Sequence, residues 1–280
     1  MYENSIEEIV LQHSTRGMNE LYKRFPLSYI SSATEMLLSL PKTKVFLYTG
    51  FYLGGHAETD GPLGTYFLYK ALQTLGYEPI IITDSFCKDF FNSCDTIYLT
   101  HEECTENNFL NIIKEHNPVC HISIERCAKN INGIYRTSAG DNISEFTPCL
   151  DKLFELGNKT APTFAIADGG NEIGMGNFQE FLKNELSVVP SIVKCDYPII
   201  ASVSNWGAYA LISQLEKKTS ITLLPSYEQV DGYMDYIVSL GAVDGMSLKN
   251  EKTVDGKSWR YEKEILEELS AYIKNWQKLK

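Results

Sequence analysis

The stretch Pro162–Gly176, PTFAIADGGNEIGMG, decides how this chain is read. Thr163 to Ala167 is a short apolar and β-branched run between Pro162 and Gly169, the pattern of a buried strand. The second half sets Asp168, Asn171 and Glu172 among Gly169, Gly170, Gly174 and Gly176. A strand that runs into such a loop, and then into a helix expected from Glu172 to Glu185, puts polar side chains and free backbone N–H groups at one edge of a sheet. Open α/β proteins bind ligands at that edge.

The same rhythm extends in both directions. Strands are expected at 45–48, 79–83, 96–99, 119–124 and 198–203. Helices are expected at 62–75, 106–116, 147–156, 208–217, 227–240 and 260–279. Pro62 suits a first helical turn, having no N–H and a fixed φ, and Gly76 suits the end of the same helix. Segments 128–144 and 241–256 read as irregular. Before the first strand, 5–12, 18–24 and 31–40 have helical apolar spacing. Alternating strands and helices predict an α/β fold: one doubly wound, mostly parallel sheet with helices on both faces. No linker or internal repeat divides the chain, so 1–280 is expected to be a single domain, with 1–40 as a helical N-terminal extension.

The balance is acidic, 25 Lys and Arg against 36 Asp and Glu, for a net charge of −11. No basic stripe is present to neutralise phosphates, which argues against nucleic acid as a partner. No apolar run approaches the roughly 18 residues of a membrane span, so no membrane partner is expected. Met1–Val10 lacks the apolar core of a secretory signal. Seven cysteines form no CxxC pair and read as reduced thiols. The expected location is cytoplasmic. The expected partner is a small-molecule substrate, and a homo-oligomer stays open.

Polar residues collect just past the strand ends: Thr49-Gly50, Asp84, His101-Glu102, Glu125-Arg126, Asp168-Gly169 and Ser204-Asn205. Two glycine-rich loops, 50–61 and 168–176, join them. Neither loop is a nucleotide fingerprint. Met175 stands where a phosphate loop needs lysine, and Gln179 where a dinucleotide loop needs its third glycine. No nucleotide cofactor is expected. Asp168 and Glu172, with Asp60 or Glu58, can form an oxygen cluster for Mg²⁺ or Mn²⁺; alternatively Glu172 only caps its helix. Arg126 can clamp a carboxylate or form a structural ion pair. Asn205 reads as a helix N-cap or a ligand donor. His56 and His101 have no partners at ligand spacing, and Trp206 and Tyr209 read as packing.

With these motifs in view, the chain resembles the D-glutamate cyclase family, in its cyclase-like C-terminal domain. The resemblance rests on TGFYLGGHAETDGPLGTYFLYKALQTLGY (49–77), SIERCAKNINGIYRTSAGDNIS (123–144), ADGGNEIGMGN (167–177), SNWGAYAL (204–211) and the paired GAVDG and KTVDG of 241–256. It runs from Arg16-Gly17 to about Gly256. The chain departs from the family pattern at Cys127-Ala128, where proline and glycine are usual. The resemblance implies a lyase that dehydrates D-glutamate to 5-oxo-D-proline. On that basis Arg126 is expected to grip the α-carboxylate and Glu125 to act as base. Asp168 and Glu172, catalytic residues with Glu125, are expected to hold the metal together with Asp60. Asn171 and Asn205 would orient the substrate, with Thr49, Gly50, Gly169 and Gly170 completing the binding set. Two other classes compete. A metal-dependent phosphohydrolase or phosphotransferase would need a nucleophilic aspartate in a DxD-like pattern, absent from these strand ends. A non-catalytic binding module for small acidic metabolites needs only the pocket.

Overall fold

The computed structural model describes residues 5–24, 28–186 and 188–278. Helices α1 (Ile6–Val10), α2 (Met18–Tyr22) and α3 (Tyr29–Ser39) open it. Strand β1 (Lys44–Tyr48), the hairpin β2 (Tyr52–Leu53) and β3 (His56–Ala57), helix α4 (Pro62–Thr74), β4 (Glu78–Thr83) and β5 (Thr96–Tyr98) follow. Then come α5 (Glu106–His116), β6 (Cys120–Ile124), α6 (Leu150–Gly157), β7 (Thr163–Ala167), α7 (Gln179–Glu185) and β8 (Tyr197–Ile200). Helices α8 (Ser204–Thr219) and α9 (Tyr227–Ser239), the hairpin β9 (Thr253–Val254) and β10 (Lys257–Ser258), and α10 (Arg260–Lys278) close it. Among the described residues no helix is long and apolar enough to cross a membrane.

The main sheet has the order β5-β4-β1-β6-β7-β8, and every neighbouring pair is parallel. The chain winds outward from β1 through β4 to β5, then returns to the other side of β1 with β6. The winding reverses between β1 and β6, and this switch point is where open α/β sheets form a crevice for ligands. Both faces of the sheet are covered, so the strands are apolar on both sides. Val45, Leu47 and Ile166 face α3, α4 and α8, while Phe46, Tyr48 and Ile82 face α5 and α6. Helices α1 and α3 bury Ile6, Ile9, Ile30 and Leu37 in the first of these cores, so the N-terminal helices share it with the sheet.

Three of the differences from the sequence expectation have a visible reason. The expected helix from Glu172 starts only at Gln179. Gly174, at φ +94, and Gly176 both donate their N–H to Val193 O at 3.0 Å. This folds the loop back across β7, where a Cβ on Gly174 would stand 2.4 Å from Ala165 Cβ. Conversely, α8 starts at Ser204, four residues early, because its cap comes from another loop. Asp60 accepts the N–H groups of Ser204 and Asn205, both at 2.8 Å. Asn205 returns the arrangement, taking the N–H groups of Gly61 and Gly64 at the start of α4 at 2.9 and 2.8 Å. Two helix starts thus satisfy each other's orphan donors, at about 1 kcal/mol per cap. The third difference is that the loop 50–61 holds a whole short hairpin, β2–β3, and the segment read as irregular, 241–256, holds the first strand of another, β9.

Candidate active site

The loop after β1 and the segment 241–256 are laced together. Thr59 N–H donates to Val243 O, Val243 N–H to Ala57 O, and the Thr59 hydroxyl to Thr253 O. That lacing brings Glu58 and Asp60 beside Asp255. The loops after β6 and β7 are joined likewise, through Ala128 N–H to Asn171 O and Ile173 N–H to Arg126 O. This sets Glu172 and Asp168 beside Glu125. Six carboxylates therefore converge at the switch point: Glu58, Asp60, Glu125, Asp168, Glu172 and Asp255, all buried. Glu125 and Asp255 adopt left-handed φ, +49 and +57, which side-chain-bearing residues hold only when the surroundings enforce it. Glycines let backbone approach this closely. A Cβ on Gly61 would stand 2.9 Å from Glu125 Cβ, one on Gly169 2.6 Å from Glu172 Oε1, and one on Gly245 2.7 Å from Glu58 Oε1.

Among the described residues, the cation that acts on these carboxylates is Arg16, from the turn between α1 and α2. Its Nη1 lies 2.9 Å from Asp168 Oδ1, and its Nη2 pairs with Asp255. Burial opposes the guanidinium charge, but Asp168 and Asp255, with Glu125 and Glu58, outweigh it and raise the Arg16 pKa well above its usual value. One guanidinium cannot balance six carboxylates. Burial, then the neighbouring carboxylates, push Glu125 and Glu58 well above the ordinary range. Burial raises Asp168 well above it too, with Arg16 pulling the other way, and raises Glu172 against Arg16 and the backbone N–H bonds. Asp60 stands at about 7, raised by burial and by Asp255 in spite of the N–H groups of Asn205 and Ser204. Like charges in a low-dielectric chamber cannot all ionise, so protons are shared within the set or a cation enters.

The donor set fits an oxygen-coordinated divalent cation. One oxygen each from Asp60, Glu125 and Asp168 lie within 4.8 Å of one another, and so do oxygens of Glu58, Asp60 and Asp255. Asp168 Oδ2, Glu172 Oε1 and Asp255 Oδ2 are buried with no N–H or O–H donor. What they can share is a proton with a neighbouring carboxyl, Glu172 with Glu125 and Asp168 with Asp255. Hard carboxylate oxygens without histidine or thiol suit Mg²⁺ or Mn²⁺. Glu172, expected as a ligand, belongs to neither triad; Glu125 takes that place.

Several expected site residues face elsewhere. Arg126 is fully buried on the far side of the strand end, paired with Asp84 and donating to Gly50 O and Pro148 O at 2.8 Å. It is a structural ion pair rather than a carboxylate clamp, because consecutive residues past a strand point to opposite sides. Gly50 faces Thr83 and Cys87. Asn205 spends its amide on caps, with its Nδ2 donating to Thr59 O at 3.1 Å. Asn171 Nδ2 donates to Arg136 O, and Gly170 N–H to Glu172 Oε2. Nor does Glu172 cap a helix. Thr49 stays at the chamber, its hydroxyl buried and unpartnered. Sequence reasoning missed Arg16 and Asp255. Their signals were present as Arg16-Gly17, where the resemblance begins, and the Asp255-Gly256 pair of KTVDG.

Behind α8, Glu262 of α10 accepts from Trp206 Nε1 and is raised to about 7, chiefly by burial. The folded state therefore binds this proton more tightly than the unfolded chain. The resulting stability is complete below about pH 4.5 and is lost as pH rises through about 7. Glu262→Gln keeps an acceptor for Trp206 and cannot ionise. Its stability relative to wild type is expected to rise between pH 5 and pH 8 by on the order of 3 kcal/mol. Denaturant titrations of both proteins at the two pH values check this; an unchanged difference would show that Glu262 does not titrate in this window.

The D-glutamate cyclase-like C-terminal family model matches residues 6–270. The mitochondrial D-glutamate cyclase of Homo sapiens is 31% identical over 188 residues, covering 56% of this chain and 29% of that protein. The match thus spans less than a third of that relative's length.

Proposed function

The chain belongs to the family of D-glutamate cyclase-like C-terminal domains, and on that premise we propose that it is a lyase converting D-glutamate to 5-oxo-D-proline and water. The observation that carries this reading is the chamber of six buried carboxylates with one guanidinium at the switch point of the sheet. Ring closure forms a bond from the amine nitrogen to the carbon of the γ-carboxyl group and breaks one carbon–oxygen bond of that group. Two protons leave the ammonium group, and two arrive on the departing oxygen. Burial and mutual repulsion raise Glu58, Glu125, Asp168 and Glu172 and set Asp60 at about 7, so protonated and ionised groups stand side by side, as this balance requires.

In this reading Glu125 takes the ammonium proton, with its Oε2 held at 2.6 Å by the Ser204 hydroxyl. Glu172, anchored through Oε2 by Gly170 N–H, delivers a proton from Oε1 to the leaving oxygen. The contact between their carboxyls passes the proton that burial places on Glu125 to Glu172, which frees Glu125 to accept from the ammonium, and a second round moves the second proton the same way. Asp168 holds Arg16 in place and offers its unpartnered Oδ2 to the substrate ammonium. Glu58, Asp60 and Asp255 would hold a divalent cation, Mg²⁺ or Mn²⁺. Bound there, it would polarise the γ-carboxyl group as a Lewis acid.

The test is incubation with D- and L-glutamate, after EDTA treatment and after adding back Mn²⁺ or Mg²⁺, with 5-oxoproline resolved by chiral chromatography. Product from D-glutamate is expected, lost with EDTA and restored by the metal. Undiminished turnover in EDTA would remove the cation from the account. No product under any condition, together with thermal stabilisation by D-glutamate, would make the protein a binding module.

A further inference from the structure

The proposed reaction needs a group that receives the substrate's α-carboxylate, and Arg126 is walled off from that task. Arg16 has the required position. Its side chain is 20% exposed, against 0% for Asp168 and 1% for Asp255, so it is the more accessible member of each ion pair although its Nη2 is buried. Its two terminal nitrogens face two different carboxylates: Nη1 donates to Asp168, while Nη2 is ion-paired with Asp255 and makes no hydrogen bond. A guanidinium is a planar fork that matches both oxygens of a single carboxylate. Splitting the fork leaves Asp168 Oδ2 and Asp255 Oδ2 without donors. The turn that carries it is pinned, since a Cβ on Gly17, at φ +79, would stand 2.5 Å from Leu186 Cδ2.

We infer that Arg16 is both the gate and the carboxylate receptor of the site, and that substrate enters by exchange, its α-carboxylate displacing Asp255 from the guanidinium while Asp168 keeps its hold. This inference rests on the proposed reaction and adds the residue that selects its substrate. The α-carboxylate is the one received, because a γ-carboxylate held by both oxygens would be stabilised as an anion and could not readily lose an oxygen. Molecules without an α-carboxylate have only the reacting carboxyl group, none to spare for this exchange, and bind more weakly. The electrostatics agree: an anion entering an acidic chamber needs a counter-charge at its mouth.

The test is a cycle between side chain and ligand, using wild type, Arg16→Gln and Arg16→Lys. D-glutamate turnover and its inhibition by 4-aminobutyrate, which is glutamate without the α-carboxylate, are measured for each. Wild type is expected to favour D-glutamate over 4-aminobutyrate strongly. In R16Q the D-glutamate KM is expected to rise at least about tenfold while the 4-aminobutyrate inhibition constant hardly changes, with R16K between the two. Equal preference in wild type and both variants, with turnover intact, overturns the inference and leaves the reaction standing. Wild type that neither binds nor converts D-glutamate contradicts both. If R16Q does not fold, the same ratio measured in R16K decides.

Discussion

Glu125→Gln is expected to fold as well as wild type and to lose at least about 10³-fold in kcat/KM for D-glutamate, near the range that removal of a general base produces. The amide keeps an acceptor for the Ser204 hydroxyl, so the local hydrogen bond survives. It also cannot ionise, at a site where burial and Glu172, Asp168, Asp60 and Glu58 all disfavour a charge on this residue. Thermal stability should therefore stay level or rise while turnover falls, the opposition expected where function is built on stored repulsion. Thermal melts read beside steady-state kinetics check both halves. A variant that loses stability and activity together would place Glu125 in the scaffold rather than in the chemistry.

Asp84→Asn carries the largest expected stability effect, a loss of about 3–5 kcal/mol, because it leaves the Arg126 guanidinium buried without its counter-charge. Gly50 O and Pro148 O remain as partners, but neutral carbonyls do not balance a charge. The folded fraction should keep its D-glutamate KM within about tenfold, since Arg126 faces away from the carboxylate chamber. Guanidinium chloride midpoints and substrate titrations measure the two effects. A large KM change with little loss of stability would return Arg126 to the substrate.

Much of the fold was legible in period and punctuation. The apolar runs at 45–48, 119–124 and 163–167 read as strands buried on both faces, and the helices between them require parallel pairing. Boundaries set by distant residues were not legible. The start of α8 depends on Asp60, which lies 144 residues before Ser204. The loop at Gly174 depends on Val193 O, beyond α7. The same limit shaped the reading of the site. Asp168, Glu172, Glu125 and Asp60 lie beside glycines at strand ends, so local sequence marks them. Arg16 and Asp255 come from a helical turn and a hairpin, and reach the chamber only through tertiary lacing. Glu125 and Arg126, adjacent in sequence, were assigned to one pocket although the strand end sends them to opposite sides.

The central claim is that D-glutamate is dehydrated within this carboxylate chamber. The most direct test follows D-[5-¹³C]glutamate by NMR with wild type and with Glu125→Gln at equal folded concentration. The account predicts that the γ-carboxyl resonance of D-glutamate gives way to the lactam carbonyl of 5-oxo-D-proline with wild type and persists with the variant. Persistence with wild type would contradict the reaction, and equal conversion by both proteins would contradict the site.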